Sequence, residues 1–408
     1  MPFTTRLGTA NAYDNALANI MQRQSSLSAL QENLTSGKKI IRASDDPTGA
    51  AQAERAITRL ARIQTDQRAL ASQRDSISQA ESTLGSVNDA LQSFRELVAS
   101  AGNASFTAQE RKSVAQQLSG YRDQVFAMAN SKDTNGLPLF SALGSALAPF
   151  VGPQGLPQDY TFAGQPGQVA SNEVSIPNTL DGDRAFMHVP ARDGVYNVSL
   201  TNVAAPPHAL TTSGVTLTDP LSVTGSSYTI SSFDTTTVPG TVTYVITDNS
   251  SGATIPGTAS YTAANFAVKE IPGLSLSIQG APAAGDTLTV DPRPSIFSVM
   301  DDAIKAIGNA PDGNAAQQAV GQALHNIDLG MSQISSVRGQ AGDLLNRADN
   351  ISATQDKRSI QVEGDRSAAE DLDMVKGVAA FQNQQTGYQA ALQSYGQVQK
   401  LSLFNYIS

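Results

Sequence analysis

Six apolar residues, Ile63, Leu70, Ile77, Leu84, Leu91 and Val98, stand at strict seven-residue steps. From Ala80 a second row, Val87 and Phe94, completes an a/d stripe. An apolar repeat sustained this long fits a helix with one adhesive edge and demands a partner for that edge. The candidate partner lies at the other end of the chain. There Val320, Leu324, Ile327, Met331, Ile334, Ala341, Leu345 and Ala348 alternate by threes and fours, with Arg338 breaking the row. The expected fold class is therefore α+β, a long antiparallel helical coiled coil or bundle formed by both chain termini around an inserted β-rich middle. Such a chain is built to be stacked or bound rather than to catalyse.

Composition narrows the function classes. At 408 residues the chain exceeds one ordinary core, so two or three domains are expected. Charged residues make up 15% and the net charge is −9, which gives nucleic-acid binding no electrostatic support. Cysteine is absent, and with it any disulfide framework, thiol nucleophile or thiolate zinc site. Asn11, Asp14, Asn15 and Asn19 interrupt what would have to be the apolar region of a secretory signal. No stretch approaches the ~20 apolar residues of a membrane span, so no membrane insertion is expected.

The first helix is expected over about Thr9–Ser36, with an apolar edge of Tyr13, Leu17, Ile20, Leu27, Leu30 and Leu34 in which Gln24 and Gln31 intrude. Gly37 stops it at the C′ position, with Lys38 and Lys39 beside its negative end. Ser44-Asp45-Asp46-Pro47 then reads as a helix start: Asp46 can cap amides, and Pro47 at the first helical position forfeits no needed hydrogen bond. The helix from Pro47 to about Gly102 would be roughly 80 Å long. Thr107 to Glu110 forms a capping-box pattern before a further helix with the edge Val114, Leu118, Tyr121, Val125 and Met128, ended by Asn135-Gly136.

From about Ala142 to Asp291 Pro, Gly, Ser and Thr rise and short alternating runs appear at Val195–Leu200, Thr241–Ile246 and Leu274–Ile278. One or two β subdomains fit, with a break near 204–207. Helical signal resumes at Ser295, and Asn314 can start the next long helix. The last helix carries Met374, Val378, Phe381, Tyr388, Leu392 and Tyr395, with Gln385 intruding. The terminal Leu401, Leu403, Phe404, Tyr406 and Ile407 ask for burial, most economically between subunits. The resulting division is residues 1–46 plus 364–408 as assembly-dependent terminal helices, 47–141 plus 292–363 as the long-helix bundle, and 142–291 as the inserted outer domain.

No nucleophile elbow, zinc-binding helix motif or dinucleotide fingerprint is present. Gly37-Lys38-Lys39 lacks the glycine a phosphate loop needs five positions earlier, and Asp133-Thr134-Asn135-Gly136 matches a capped turn better than a calcium loop. His188, His208 and His325 fall in a β segment, a Pro-rich loop and a helix, and no carboxylate pattern gathers them. The expectation is no catalysis, no metal and no cofactor.

Thr35-Ser36-Gly37-Lys38-Lys39-Ile40 followed by Ser44-Asp45-Asp46-Pro47 resembles the N-terminal signature of the flagellin superfamily. Its Asp-Asp-Pro form is more similar to the hook-associated protein 3 branch than to flagellin, which typically has Asp-Asp-Ala-Ala-Gly there. Asn130 to Gly136 with Leu139-Phe140-Ser141, Ala369 to Leu372, Gln384-Gln385-Thr386 and Leu401 to Ile407 resemble the same family. So, more weakly, does Phe162 to Val189; Pro190 to Ile278 matches nothing. The resemblance implies a structural role at the hook–filament junction, with terminal helices as an inner tubular layer. It implies as partners neighbouring copies of the chain, the first hook–filament junction protein, flagellin, and an export chaperone on the C-terminal helix. It also implies secretion through the flagellar type III channel to an extracellular position. A flagellin filament subunit, and an adhesion module carried on the β insertion, are the alternatives.

Overall fold

The computed structural model describes residues 4–103, 105–155, 159–201, 210–262 and 264–407, without the side chains of 4–13, 190 and 398–407. The expected break near 204–207, His208, and the side chains of Tyr13, Leu401, Leu403, Phe404, Tyr406 and Ile407 lie outside the described residues. In chain order the helices are α1 (Thr4–Ser36), α2 (Pro47–Ala101), α3 (Ala108–Ala129), α4 (Gly182–Phe186), α5 (Pro190–Asp193), α6 (Ile296–Gly308), α7 (Gly313–Glu370) and α8 (Met374–Ile407). The strands are β1 (Phe150–Gln154), β2 (Asp159–Phe162), β3 (Tyr196–Thr201), β4 (Thr211–Thr212), β5 (Thr216–Leu217), β6 (Tyr228–Asp234), β7 (Thr241–Asp248), β8 (Thr254–Ser260), β9 (Asn265–Val268), β10 (Leu274–Gln279) and β11 (Thr287–Pro292). The chain divides into two compact units, at Arg68/Ala69 and at Ile351/Ser352, within α2 and α7.

In the smaller unit α1 packs on α8. A side chain at Gly377 would meet Leu34 and one at Gly387 would meet Arg23, so the two helices run antiparallel.

The larger unit holds two hydrophobic cores. The first is helical. Arg74 meets Asp349, Glu81 meets Arg338 and Arg95 meets Asp328, so α2 and α7 run antiparallel with their apolar edges facing inward. Leu70, Ile77, Leu84, Leu91 and Val98 are buried there with Val87 and Phe94, opposite Ile327, Ile334, Ala341 and Ala348. Arg338 breaks the row without damage because its guanidinium lies over Gly85 and bonds Glu81 at the rim. The α7 row differs from the expected one in detail. Leu324, Met331 and Leu345 are half-buried flanks, and Val337 and Ala323 fill the core instead. α3 and α6 close the bundle, each held by its capping box at Thr107 and Ser295.

Two expected boundaries shift. α3 ends at Ala129, before the expected Asn135-Gly136, because Asn130 leaves the helix to bond Phe150 through both its side-chain nitrogen and oxygen. α7 starts at Gly313, capped by Asp312, whose carboxylate accepts from the Ala315 amide, rather than at Asn314.

The outer domain is expected to begin at 142, but the buried apolar side chains from Phe150 to Val195 join the helical core and not the β core. The β1–β2 ribbon inserts Phe150, Tyr160 and Phe162 among Phe126, Phe186 and Phe297, with ring centroids 5.2–5.8 Å apart, inside the helical core. Aromatic pairs at this spacing add stability beyond their buried area. The second core begins at Tyr196. It lies between the sheet β3-β11-β6-β7-β8 and the smaller sheet in which β10 pairs β9, β4 and β5, all antiparallel. Alternating burial along β7 and β11 is the period-two pattern of half-buried strands.

Candidate assembly interface

The turn from α1 into α2 and the joint of α7 with α8 meet in one place. Gly37 takes φ +71°, the left-handed C′ conformation that ends α1. The chain then crosses the α7–α8 joint in a short antiparallel bridge, Lys38 opposite Asp371. The Lys39 amide donates to Glu370 O at 2.8 Å and the Leu372 amide to Gly37 O at 2.8 Å. The two lysines do not serve the end of α1, as the sequence suggests. Lys38 pairs with the Glu370 carboxylate, and Lys39 Nζ donates to Ala368 O at 2.8 Å, at the negative end of α7. Arg366 completes the cluster, bonding Glu363 at 2.7 Å and Glu370 at 3.1 Å.

The turn through Ser44, Asp45 and Asp46 leads directly into α2. Asp46 Oδ1 accepts from the amides of Thr48 and Gly49, both at 3.0 Å, and these bonds, Gly49 foremost, hold its carboxyl below the ordinary range. Asp45 Oδ2 accepts from the amides of Arg42 at 2.9 Å and Ile41 at 3.3 Å, and Ser44 is an exposed member of the turn. Pro47 opens α2. Sequence reasoning missed Gly49 and Ile40: a side chain at Gly49 would stand 2.5 Å from Ile40 and 2.6 Å from Asp46. The glycine two places after Pro47 was the available signal.

The assembly residues expected on the terminal helices separate into two groups. Ile20 is buried inside the unit, so it belongs to the α1–α8 contact and not to an open face. Leu27, Leu34, Phe381, Tyr388 and Tyr395 are half-buried, while Leu17 and Leu392 are exposed. The open apolar surface also includes residues that periodicity did not select, Met21 at 60% and Val375 at 81% exposure. Ile63 is half-buried, unlike the rest of its heptad row, and Ile360 on the same unit's stretch of α7 is 73% exposed. The apolar seam is thus covered in the larger unit and open in the smaller one.

Chemistry-bearing groups lie in the larger unit. Asp133 Oδ1 accepts from the amides of Asn135 and Leu137, each at 2.8 Å, which is the capped turn. His188 departs from expectation, since Nδ1 lies 3.6 Å from Asp193 Oδ2 and the side chain is almost fully buried. That pair lines a cleft of about 690 Å³ with Asp183, Arg184, Arg192 and Gln333, a mixture of both charges. Among the described residues no set of three His, Cys, Asp or Glu could hold a metal ion. His325 is a helix residue bonded to Val215 O at 2.8 Å. Among the described residues, no helix is long and apolar enough to cross a membrane.

Residues 8–144 match the family model of the bacterial flagellin N-terminal helical region. Over 408 residues the chain is 22% identical to flagellar hook-associated protein 3 of Escherichia coli K12, covering 98% of each. It is 31% identical over 203 residues to the same protein of Salmonella typhimurium LT2, spanning 49% of this chain and 59% of that one. The chain is thus similar to hook-associated protein 3 along nearly its whole length, and to the flagellin N-terminal region over its first third. Similarity to flagellin itself is partial: 32% identity to that of Serratia marcescens over 127 residues, 30% of this chain. The fold is that of the flagellar junction protein FlgL from Legionella pneumophila, with a TM-score of 0.59 at 23% identity over 73% of this chain and 99% of that chain.

Proposed function

We propose that the chain is a structural subunit of the bacterial flagellum that forms the hook–filament junction, between the first junction protein and the flagellin filament. One observation carries the reading. The paired α1 and α8 leave Leu17, Met21, Val375 and Leu392 open to solvent, on an element that ends in a further apolar run, Leu401 to Ile407. An exposed apolar stripe of this extent suits burial against neighbouring subunits. Head-to-tail contacts of one surface with a different one propagate helically instead of closing a dimer.

In this reading residues 1–46 and 364–408 form the inner layer and the long helices a second one, while the β core faces outward. Before assembly the chain passes through the type III export channel, with a chaperone covering the C-terminal helix. Tyr13, Phe404 and Tyr406 join Leu17, Leu27, Leu34, Phe381, Tyr388, Leu392 and Tyr395 as subunit contacts. The role requires no enzymatic step.

Immunogold labelling of intact flagella with antibody against the β core tests the function. A discrete patch at the filament base is the expected result. Label along the whole filament would make the chain a flagellin, and no flagellar label would end the reading.

A further inference from the structure

Helix α2 carries opposite charge in its two halves. Residues 47–68 hold four arginines against two carboxylates, and residues 69–101 hold four carboxylates against two arginines. Pairing within the chain sharpens the contrast. In the second half Arg74 and Arg95 are neutralised by Asp349 and Asp328, and Glu81 by Arg338. What remains exposed and outside any ion pair among the described residues is Asp75, Asp89 and Glu96. These three stand at multiples of seven and therefore share one face of the helix.

In the first half Arg55, Arg59 and Arg62 are exposed and meet no carboxylate at ion-pair distance among the described residues. Glu54 and Asp66 flank them on the same helix, and Asp365 stands across a shallow groove of about 380 Å³ lined by Arg55, Ala56, Arg59 and Ala369. Arg59 repeats the register of Ala80, Val87 and Phe94, which are buried core positions further along. A guanidinium thus occupies the seam where the seam is open. Like charges at i,i+4, as Arg55 and Arg59 are, destabilise an isolated helix. That repulsion between Arg55 and Arg59 is relieved against an acidic surface.

We infer that the Arg55, Arg59, Arg62 face of one copy docks on the Asp75, Asp89, Glu96 face of a second copy. The inference rests on the structural-subunit reading and adds which surfaces meet. Charge complementarity of this kind fixes register and rejects wrong juxtapositions more than it adds affinity. It is also heterologous, since two different patches of the chain meet, and so it propagates.

The absence of cysteine makes a clean test available. A full-length chain carrying Arg62→Cys and Asp89→Cys replaces the native copy in its host, and isolated flagella are mildly oxidised. The two positions lie 27 residues apart on one continuous helix, too far to bond within a chain, so any disulfide joins two chains. A ladder of covalent multimers that needs both cysteines supports the inference. Incorporated chain that stays monomeric, or that cross-links only to another protein, overturns it and leaves the junction reading intact. Absence of the native chain from flagella overturns both.

Charge reversal provides the second arm. Arg55→Glu with Arg62→Glu should lower incorporation about tenfold, and adding Asp89→Lys with Glu96→Lys should restore it. A combined variant no better than the first would overturn the pairing.

Discussion

Leu91 has no exposed surface and shares its core with Val87, Phe94 and Val98, whereas Ile63 of the same heptad row is half-buried. Truncation to alanine therefore separates the two positions. Leu91→Ala should cost about 2–5 kcal/mol in a denaturant melt followed by helical circular dichroism, because the rigid core leaves a cavity. Ile63→Ala should cost about 1 kcal/mol, the ordinary price of a partly exposed site. Two aspartates give opposite pH behaviour. Burial raises the Asp133 carboxyl, but hydrogen bonds from Leu137, Asn135 and Ser76 outweigh it and hold the group below its usual range. A depressed folded value means stabilisation that is present above the unfolded value near 3.8 and lost as pH falls through the folded one. Asp133→Asn should therefore lower Tm at pH 7, and the deficit should shrink in acid below about pH 4. Burial and the nearby Asp181 raise the Asp183 carboxyl. Its charged form is thus penalised in the folded state, a penalty absent below 3.8 and complete once pH rises through the folded value. Asp183→Asn should raise Tm at pH 7 and lose that gain in acid; equal effects at both pH values would contradict the assignment.

At the scale of elements, the joint of α1 with the α7–α8 corner depends on Gly37. Nothing stands within 4 Å of where its side chain would be, so the constraint is conformational alone, φ +71°. Gly37→Ala should cost about 1–2 kcal/mol locally. Hydrogen exchange should register this as faster exchange of the Lys39 and Leu372 amides, which bond Glu370 and Gly37 across the bridge. Unchanged protection there would mean the bridge is not held by the turn. The long helices, their caps and the antiparallel pairing were legible because they repeat: one seven-residue period runs from Ile63 to Val98, and Thr107, Ser295 and Pro47 punctuate it. The β1–β2 ribbon was not, since five- and four-residue strands carry too short a pattern to say which core they join. Nor was the His188–Asp193 approach, which is made by the short α5 turn. On the terminal helices, periodicity gathered Leu17, Leu392 and Ile20 alike, because one helical edge contains both the residues its partner helix covers and those it leaves open.

For the whole molecule, the decisive feature of the larger unit is how the β core is inserted. β3 and β11 are neighbours paired from Thr287 opposite Thr201 to Pro292 opposite Tyr196, so the chain enters and leaves the core through one antiparallel ladder. The Arg293 amide donates to Val195 O at 3.0 Å, extending that ladder to the boundary with the helical core. Its apolar interior, from Tyr196 to Val290, closes on itself. The core is nonetheless docked on α7: Asn326 Nδ2 donates to Tyr196 O at 3.0 Å, and Gln318 bonds Thr212. Among the described residues these bonds, with that of His325 to Val215 O, are fewer than those of the sheet's own ladders, so folding should not depend on them. A fragment of residues 195–293 should show β-sheet circular dichroism and one cooperative thermal transition, at a lower Tm than the same core in the full chain because the α7 contacts are gone. A fragment without a cooperative transition would mean that α7 completes the core, and the outer region would then be an extension of the bundle instead of a domain inserted into it.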